Sequence, residues 1–146
     1  MEIDHLLKEF DFSTPIQIRF SDIDGYMHVN NGVYFNYFEH SRADFLHSRC
    51  GWNIMEVGTV VARIEMDYFK PIHLEDEIKA FVKCVRIGNS SFVLEQYLLG
   101  NDKSGQQILF AKCICTMVSV DMKTMKPTPV PEIYRAKLAF NPEKQA

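Results

Sequence analysis

The sequence predicts an α+β fold, a curved five-stranded antiparallel sheet wrapped around one long central helix. Three observations lead there. A short strand and a polar loop precede a helical stretch with an aromatic stripe; four alternating segments then follow in succession; and turn residues separate those segments at hairpin spacing.

The first strand is read at Pro15-Ile16-Gln17-Ile18-Arg19-Phe20, where apolar and polar residues alternate. The loop SDIDGYMHVNNG comes next, rich in residues that cap helices and stabilise turns. From about Gly32 the spacing turns helical. Tyr34, Tyr37, Phe38, Phe45 and Leu46 recur three or four residues apart, or twice that, with Glu39, Arg42 and Arg49 on other faces. Gly51 is placed to stop this helix.

In the second strand Val60, Ala62, Ile64, Met66 and Tyr68 share one face and Arg63, Glu65 and Asp67 the other, until Pro71 closes it. The next runs from Glu77 to Ile87, with Ile78, Ala80, Val82 and Cys84 on one side. A turn at Gly88-Asn89 leads into Ser91 to Leu99, and Gly100-Asn101-Asp102 turns the chain into a last strand from Gln107 to Val120. The Pro-punctuated tail carries a short helix from Pro131. No internal repeat appears, and residues 1–146 read as one domain. A single helix cannot cover five strands, so apolar sheet surface is left for a second subunit, in a homodimer or a dimer of dimers.

Composition narrows the class. At 47% hydrophobic and 24% charged, the 146 residues are those of an ordinary globular protein. A net charge of −3 argues against a nucleic-acid partner, which needs a basic face. No apolar run reaches the roughly 20 residues that span a bilayer, and the acidic start MEIDHLLKEFDF lacks a signal-peptide layout, so the expected compartment is the cytosol. Cys50, Cys84, Cys113 and Cys115 then read as reduced structural thiols, with no metal site among them.

The chemistry concentrates in the loop. Asp22, Asp24, His28, Asn30 and Asn31 crowd between a strand and the most apolar element, a poor recipe for a mere connector. A helix start offers unpaired N–H groups and a positive dipole end, where a carbonyl oxygen would be polarised. A carboxylate held nearby could attack that carbonyl or activate water against it.

The pattern RFSDID-x3-HVNN-x2-Y-x2-YFE resembles the signature loop and helix of the 4-hydroxybenzoyl-CoA thioesterase-like hotdog enzymes, which include acyl-CoA and acyl-carrier-protein thioesterases. VVARIEMDYFKPI, RIGNSSFVLEQYLL and VDMKTMKP resemble that family's later strands and turns, so the likeness covers almost the whole chain. It implies hydrolysis of a fatty or aromatic acyl-CoA, or of acyl carrier protein, with no cofactor beyond the coenzyme A of the substrate.

Carried over residue by residue, Asp24 matches the catalytic carboxylate, Asp22 fixes the loop, and His28 matches the histidine of HVNN. Tyr26 stands where relatives often place an Asn, and Asn31 where other branches place a His or Tyr; the Asn31 backbone N–H is the candidate to polarise the thioester carbonyl. Arg86, Ser90 and Ser91 match, by position, the strand-turn-strand where relatives bind the nucleotide. Glu65 reads as solvated, and His5, His40, His47 and His73 read as surface or helix-face residues without a partner pattern. Competing classes are a hotdog enoyl-CoA hydratase or dehydratase, a non-catalytic acyl-CoA binding protein, and a metal site built from Asp22, Asp24 and His28.

Overall fold

The alternating segments assemble into one antiparallel sheet because each carries an apolar face that the long helix covers. The structure, a computed structural model, describes residues 3–139. In chain order the elements are α1 (Ile3–Leu7), β1 (Ser13–Ile16), α2 (Val33–Asp44), β2 (Val57–Tyr68), β3 (Glu77–Ile87), β4 (Ser91–Asn101), β5 (Gln107–Asp121) and α3 (Glu132–Leu138). The strands are ordered β1-β3-β4-β5-β2 and every neighbouring pair is antiparallel. β1 and β2 therefore form the two edges, and the sheet is not closed. Among these residues no helix is long and apolar enough to cross a membrane.

The aromatic stripe of α2 fills the concave side. Tyr34, Tyr37, Phe38, Phe45 and Leu46 are all buried against Ile78, Ala80, Leu94, Leu98 and Cys113 of the sheet, each large apolar side chain contributing about 1.5–3 kcal/mol. Past Asp44 the helix widens into a π turn over Phe45–Arg49, closed by Cys50 N–H to the Phe45 carbonyl at 3.1 Å. Gly51 ends it in the left-handed region, at φ 63°.

Two expectations need correction, and one contact was not foreseen. The first strand lies at Ser13–Ile16, not Pro15–Phe20: it pairs with β3 only as far as Ile16↔Ile78, and Phe20 belongs to a 3-10 turn and is 80% exposed. Pro15 is tolerated within it because β1 is an edge strand. Arg42 is not on an outer face of the helix but on the buried one, only 5% exposed, because it follows Phe38 by one turn. The sheet also has a second apolar side, where α1 brings Leu6 and Phe10 onto Phe81, Tyr97 and Leu99. The mixed sequence before Ser13 hid that contact.

β2 is covered least. Register slips between Val61 and Arg63, and Val60 and Val61 are 37% and 45% exposed on an edge with no further strand. The leftover apolar surface expected from the helix-to-strand ratio is here.

Candidate active site

The loop before α2 is a small hairpin. The Asn30 N–H donates to the Asp22 carbonyl at 2.9 Å, Ile23 and Val29 form an antiparallel bridge, and the Asp24 N–H donates to the His28 carbonyl at 2.9 Å. Met27 closes the turn at φ 66°, the left-handed position such three-residue turns require. Asp24 and His28, four apart in sequence, thus sit opposite each other across a miniature ladder. The Val29 N–H donates to the Ile72 carbonyl at 2.8 Å and ties this hairpin to the segment after β2.

The two carboxylates have different surroundings. Asp22 Oδ2 accepts the Tyr37 hydroxyl at 2.6 Å and the Arg19 N–H at 2.9 Å, which fixes the loop to α2. Burial and that neighbouring carboxylate push the Tyr37 phenol far above its ordinary value, so it serves as a permanent donor. Asp24 Oδ1 accepts only the Tyr26 N–H, at 2.9 Å, and Oδ2 accepts nothing among the described residues.

Asn30, rather than Asn31, organises the helix start: its side-chain oxygen accepts the Gly32 N–H at 2.9 Å and its carbonyl the Val33 N–H at 2.9 Å. The Asn31 carbonyl accepts the Tyr68 hydroxyl at 2.9 Å, while its N–H meets no acceptor among the described residues. Asp24, His28 and Asn31 line one cavity of about 410 Å³, walled by Tyr34, Tyr68 and Phe69. Tyr34 is buried and meets Tyr68 edge-on at 4.8 Å. Asp22 lies outside this cavity, so the triad of a metal site does not converge.

Sequence reasoning missed several neighbours. His73, read as a surface residue, meets His28 edge-on at 4.9 Å, and its N–H donates to the buried Asp76 carboxylate at 2.7 Å. Tyr68 and Lys70 also border the cavity. The Lys70-Pro71 stop after an alternating strand marked the position without revealing what it faced. Glu65 pairs with Arg63 at 2.7 Å on the exposed side, as its alternation suggests. The four cysteines are free, and burial pushes the Cys113 thiol up to about 12.

Arg86, Ser90 and Ser91 are not brought to the cavity of their own chain. Ser91 pairs with Val118, which pairs with Val60, whereas the cavity wall Tyr68 lies eight residues further along β2, roughly 25 Å away at the rise of a strand.

An antiparallel five-stranded sheet wrapped around one long helix, with the loop before that helix bordering a cavity, is the architecture of the hotdog fold. The chain belongs to the thioesterase-like superfamily, whose family model matches residues 18–138. It is 29% identical over 128 residues to the long-chain acyl-CoA thioesterase FadM of Escherichia coli, covering 86% of this chain and 95% of FadM. A Thermus thermophilus thioesterase solved with coenzyme A and Zn is 33% identical, with a TM-score of 0.74 over 89% of this chain and 93% of that one. A Pseudomonas aeruginosa protein is 30% identical, with a TM-score of 0.81 over 90% of this chain and 91% of its own.

Proposed function

We propose that this chain is an acyl-CoA thioesterase in which Asp24 supplies the carboxylate and the Asn31 N–H polarises the thioester carbonyl. The observation that carries the reading is the free Asp24 oxygen on the same cavity as an amide without an acceptor. Two routes meet the geometry. In one, Asp24 attacks the carbonyl carbon, the C–S bond breaks, the thiol leaves, and water opens the resulting anhydride. In the other, Asp24 takes a proton from water, which attacks directly. In this reading His28, opposite Asp24 on the same cavity, holds that water or protonates the leaving thiolate.

Coenzyme A as carrier is supported by the names of the relatives, and an apolar acyl group by the walls Tyr34, Tyr68 and Phe69. Lys70 lines the same cavity and supplies its lysine cation. The same reading includes a homodimer joined along β2, whose edge is unpaired and apolar at Val60 and Val61. Antiparallel pairing of two β2 edges carries the Arg86 turn of one copy toward the Asp24 end of the other. The free thiols favour the reducing cytosol.

Thiol release from a panel of aliphatic and aromatic acyl-CoAs tests the assignment. Asp24→Asn and Asp24→Ala are expected to lower turnover about 10²–10⁴-fold with folding retained. Normal turnover in either variant would move the catalytic carboxylate elsewhere. Hydration of an enoyl-CoA without thiol release would favour the hydratase class.

A further inference from the structure

Arg42 is a largely buried cation without an anion among the described residues. It is 5% exposed, and among the described residues no carboxylate lies within ion-pairing distance of it. Its Nη1 donates to Gln96 Oε1 at 3.2 Å, and Gln96, fully buried, donates to the Phe38 carbonyl at 2.9 Å and to Ser41 Oγ at 2.7 Å. That network orients the guanidinium through Nη1 and leaves its charge without a counter-ion in this chain's described residues.

Arg42 borders a recess of about 490 Å³ whose other walls include Leu46, Trp52, Val61 and Met117. Glu39, three residues earlier on the same helix, borders the same recess, is exposed, and has no cation within ion-pairing distance among the described residues. One recess thus presents an anion lacking a cation and a cation lacking an anion.

We propose that Glu39 of one copy neutralises Arg42 of a second copy, and the reverse, across a two-fold axis that closes the recess. A two-fold contact requires that if residue i meets j, then j meets i, so one rotation satisfies both charges twice over. Val61 belongs both to the recess and to the open edge of β2, which makes the helix contact continuous with the sheet contact. A small carboxylate ligand is the competing occupant. Glu39 disfavours it, because that ligand would enter beside a like charge. The inference rests on the dimeric reading above and deepens it by naming the charges that set the register.

The test follows the mass of the full chain by light scattering across a dilution series. The parent should be a dimer. Glu39→Arg places like charges together and should raise the dimer dissociation constant at least about tenfold. Arg42→Glu should do the same, and an equimolar mixture of the two variants should recover a mixed dimer, since each supplies the charge that the other lacks. Glu39 is exposed, so Glu39→Arg alone decides the matter if Arg42→Glu does not fold. A dimer of unchanged affinity in Glu39→Arg, or no mixed dimer from two folded variants, would overturn the proposal. A monomeric parent would remove the dimeric reading itself, and the pairing with it. Stabilisation by hexanoate that disappears in Arg42→Gln, with Glu39→Arg still dimeric, would assign the recess to a ligand instead.

Discussion

The two ends of β2 carry turns of opposite character. At the Tyr68 end, the loop from Asp22 to Asn31 leaves an oxygen of Asp24 and the N–H of Asn31 without partners among the described residues. At the Val57 end, the turn between β3 and β4 has its carbonyls held: Arg135 of α3 donates to the Gly88 carbonyl at 2.9 Å and the Asn89 carbonyl at 2.8 Å, and the Ser119 N–H donates to the Ser90 carbonyl at 2.8 Å, while the Gly88 N–H donates to the Ser91 carbonyl at 2.7 Å. A polar group left free beside a cavity is available to a ligand, whereas a saturated one only holds shape. The contrast recurs within the loop, where Asp22 holds and Asp24 waits.

The sharpest way to break that division is to remove the holding carboxylate. Asp22→Ala strands the buried Tyr37 hydroxyl and the Arg19 N–H, and should cost about 2–3 kcal/mol in chemical denaturation. Asp24→Ala should leave stability within about 0.5 kcal/mol, as for a residue whose one acceptor bond lies in an exposed turn. Equal stability of the two variants would abolish the distinction. At the other end, Arg135→Ala leaves three carbonyls short of a donor, counting Val130 at 3.2 Å. It should cost about 1–3 kcal/mol, with hydrolysis by the remaining folded protein unchanged on a substrate that lacks the nucleotide.

Most of the fold was legible because it rests on period. Alternation in β3, β4 and β5 and the three-to-four spacing of the aromatic residues in α2 name the faces that end up buried. What failed was whatever depends on a distant partner. Arg42 has the charge of a surface residue and the position of a core one; only Gln96, 54 residues away, gives it a place inside. Phe81 and Tyr97 point away from α2 and are covered by Phe10, which no local pattern announces. In the candidate site, the motif pointed to Asp24 and His28, but their opposition across the loop comes from Met27 in a left-handed turn, which sequence gives no reason to expect of a methionine. His73 and Tyr68 reach the cavity through the crossing of separate segments.

The interior offers a milder test of groups that only hold shape. Burial pushes the thiols of Cys50 and Cys113 up to about 12, against an ordinary value of 9.0, despite the lowering influence of Arg49 and Arg42 respectively. Below pH 9 both folded and unfolded chains keep the protons, and the stabilisation is complete. Between about pH 9 and 12 the unfolded thiols ionise while the folded ones do not, so stability should fall, by up to about 1.4 kcal/mol per pH unit for each thiol. Denaturation midpoints measured from pH 8 to 10.5 should show a shallower decline in Cys113→Val than in the parent. An identical slope would mean that this thiol is not protected by burial.

The smallest effect probes the side chains that the held turn displays. Arg86 is exposed and makes no ion pair among the described residues, so Arg86→Gln should leave stability unchanged. If its guanidinium meets a phosphate of coenzyme A carried by the cavity of the second copy, the KM for acyl-CoA should rise by up to about fivefold, the value of an exposed ion pair. The kcat should stay fixed, because the contact is the same before and during reaction. An acyl-pantetheine, which carries the thioester without the nucleotide, should show no change at all. Raising the salt concentration should weaken the parent's acyl-CoA binding more than the variant's. A loss that appears equally with both substrates would mean that Arg86 acts through the shape of the turn, and the contrast between a holding end and a reacting end would then extend to its side chains.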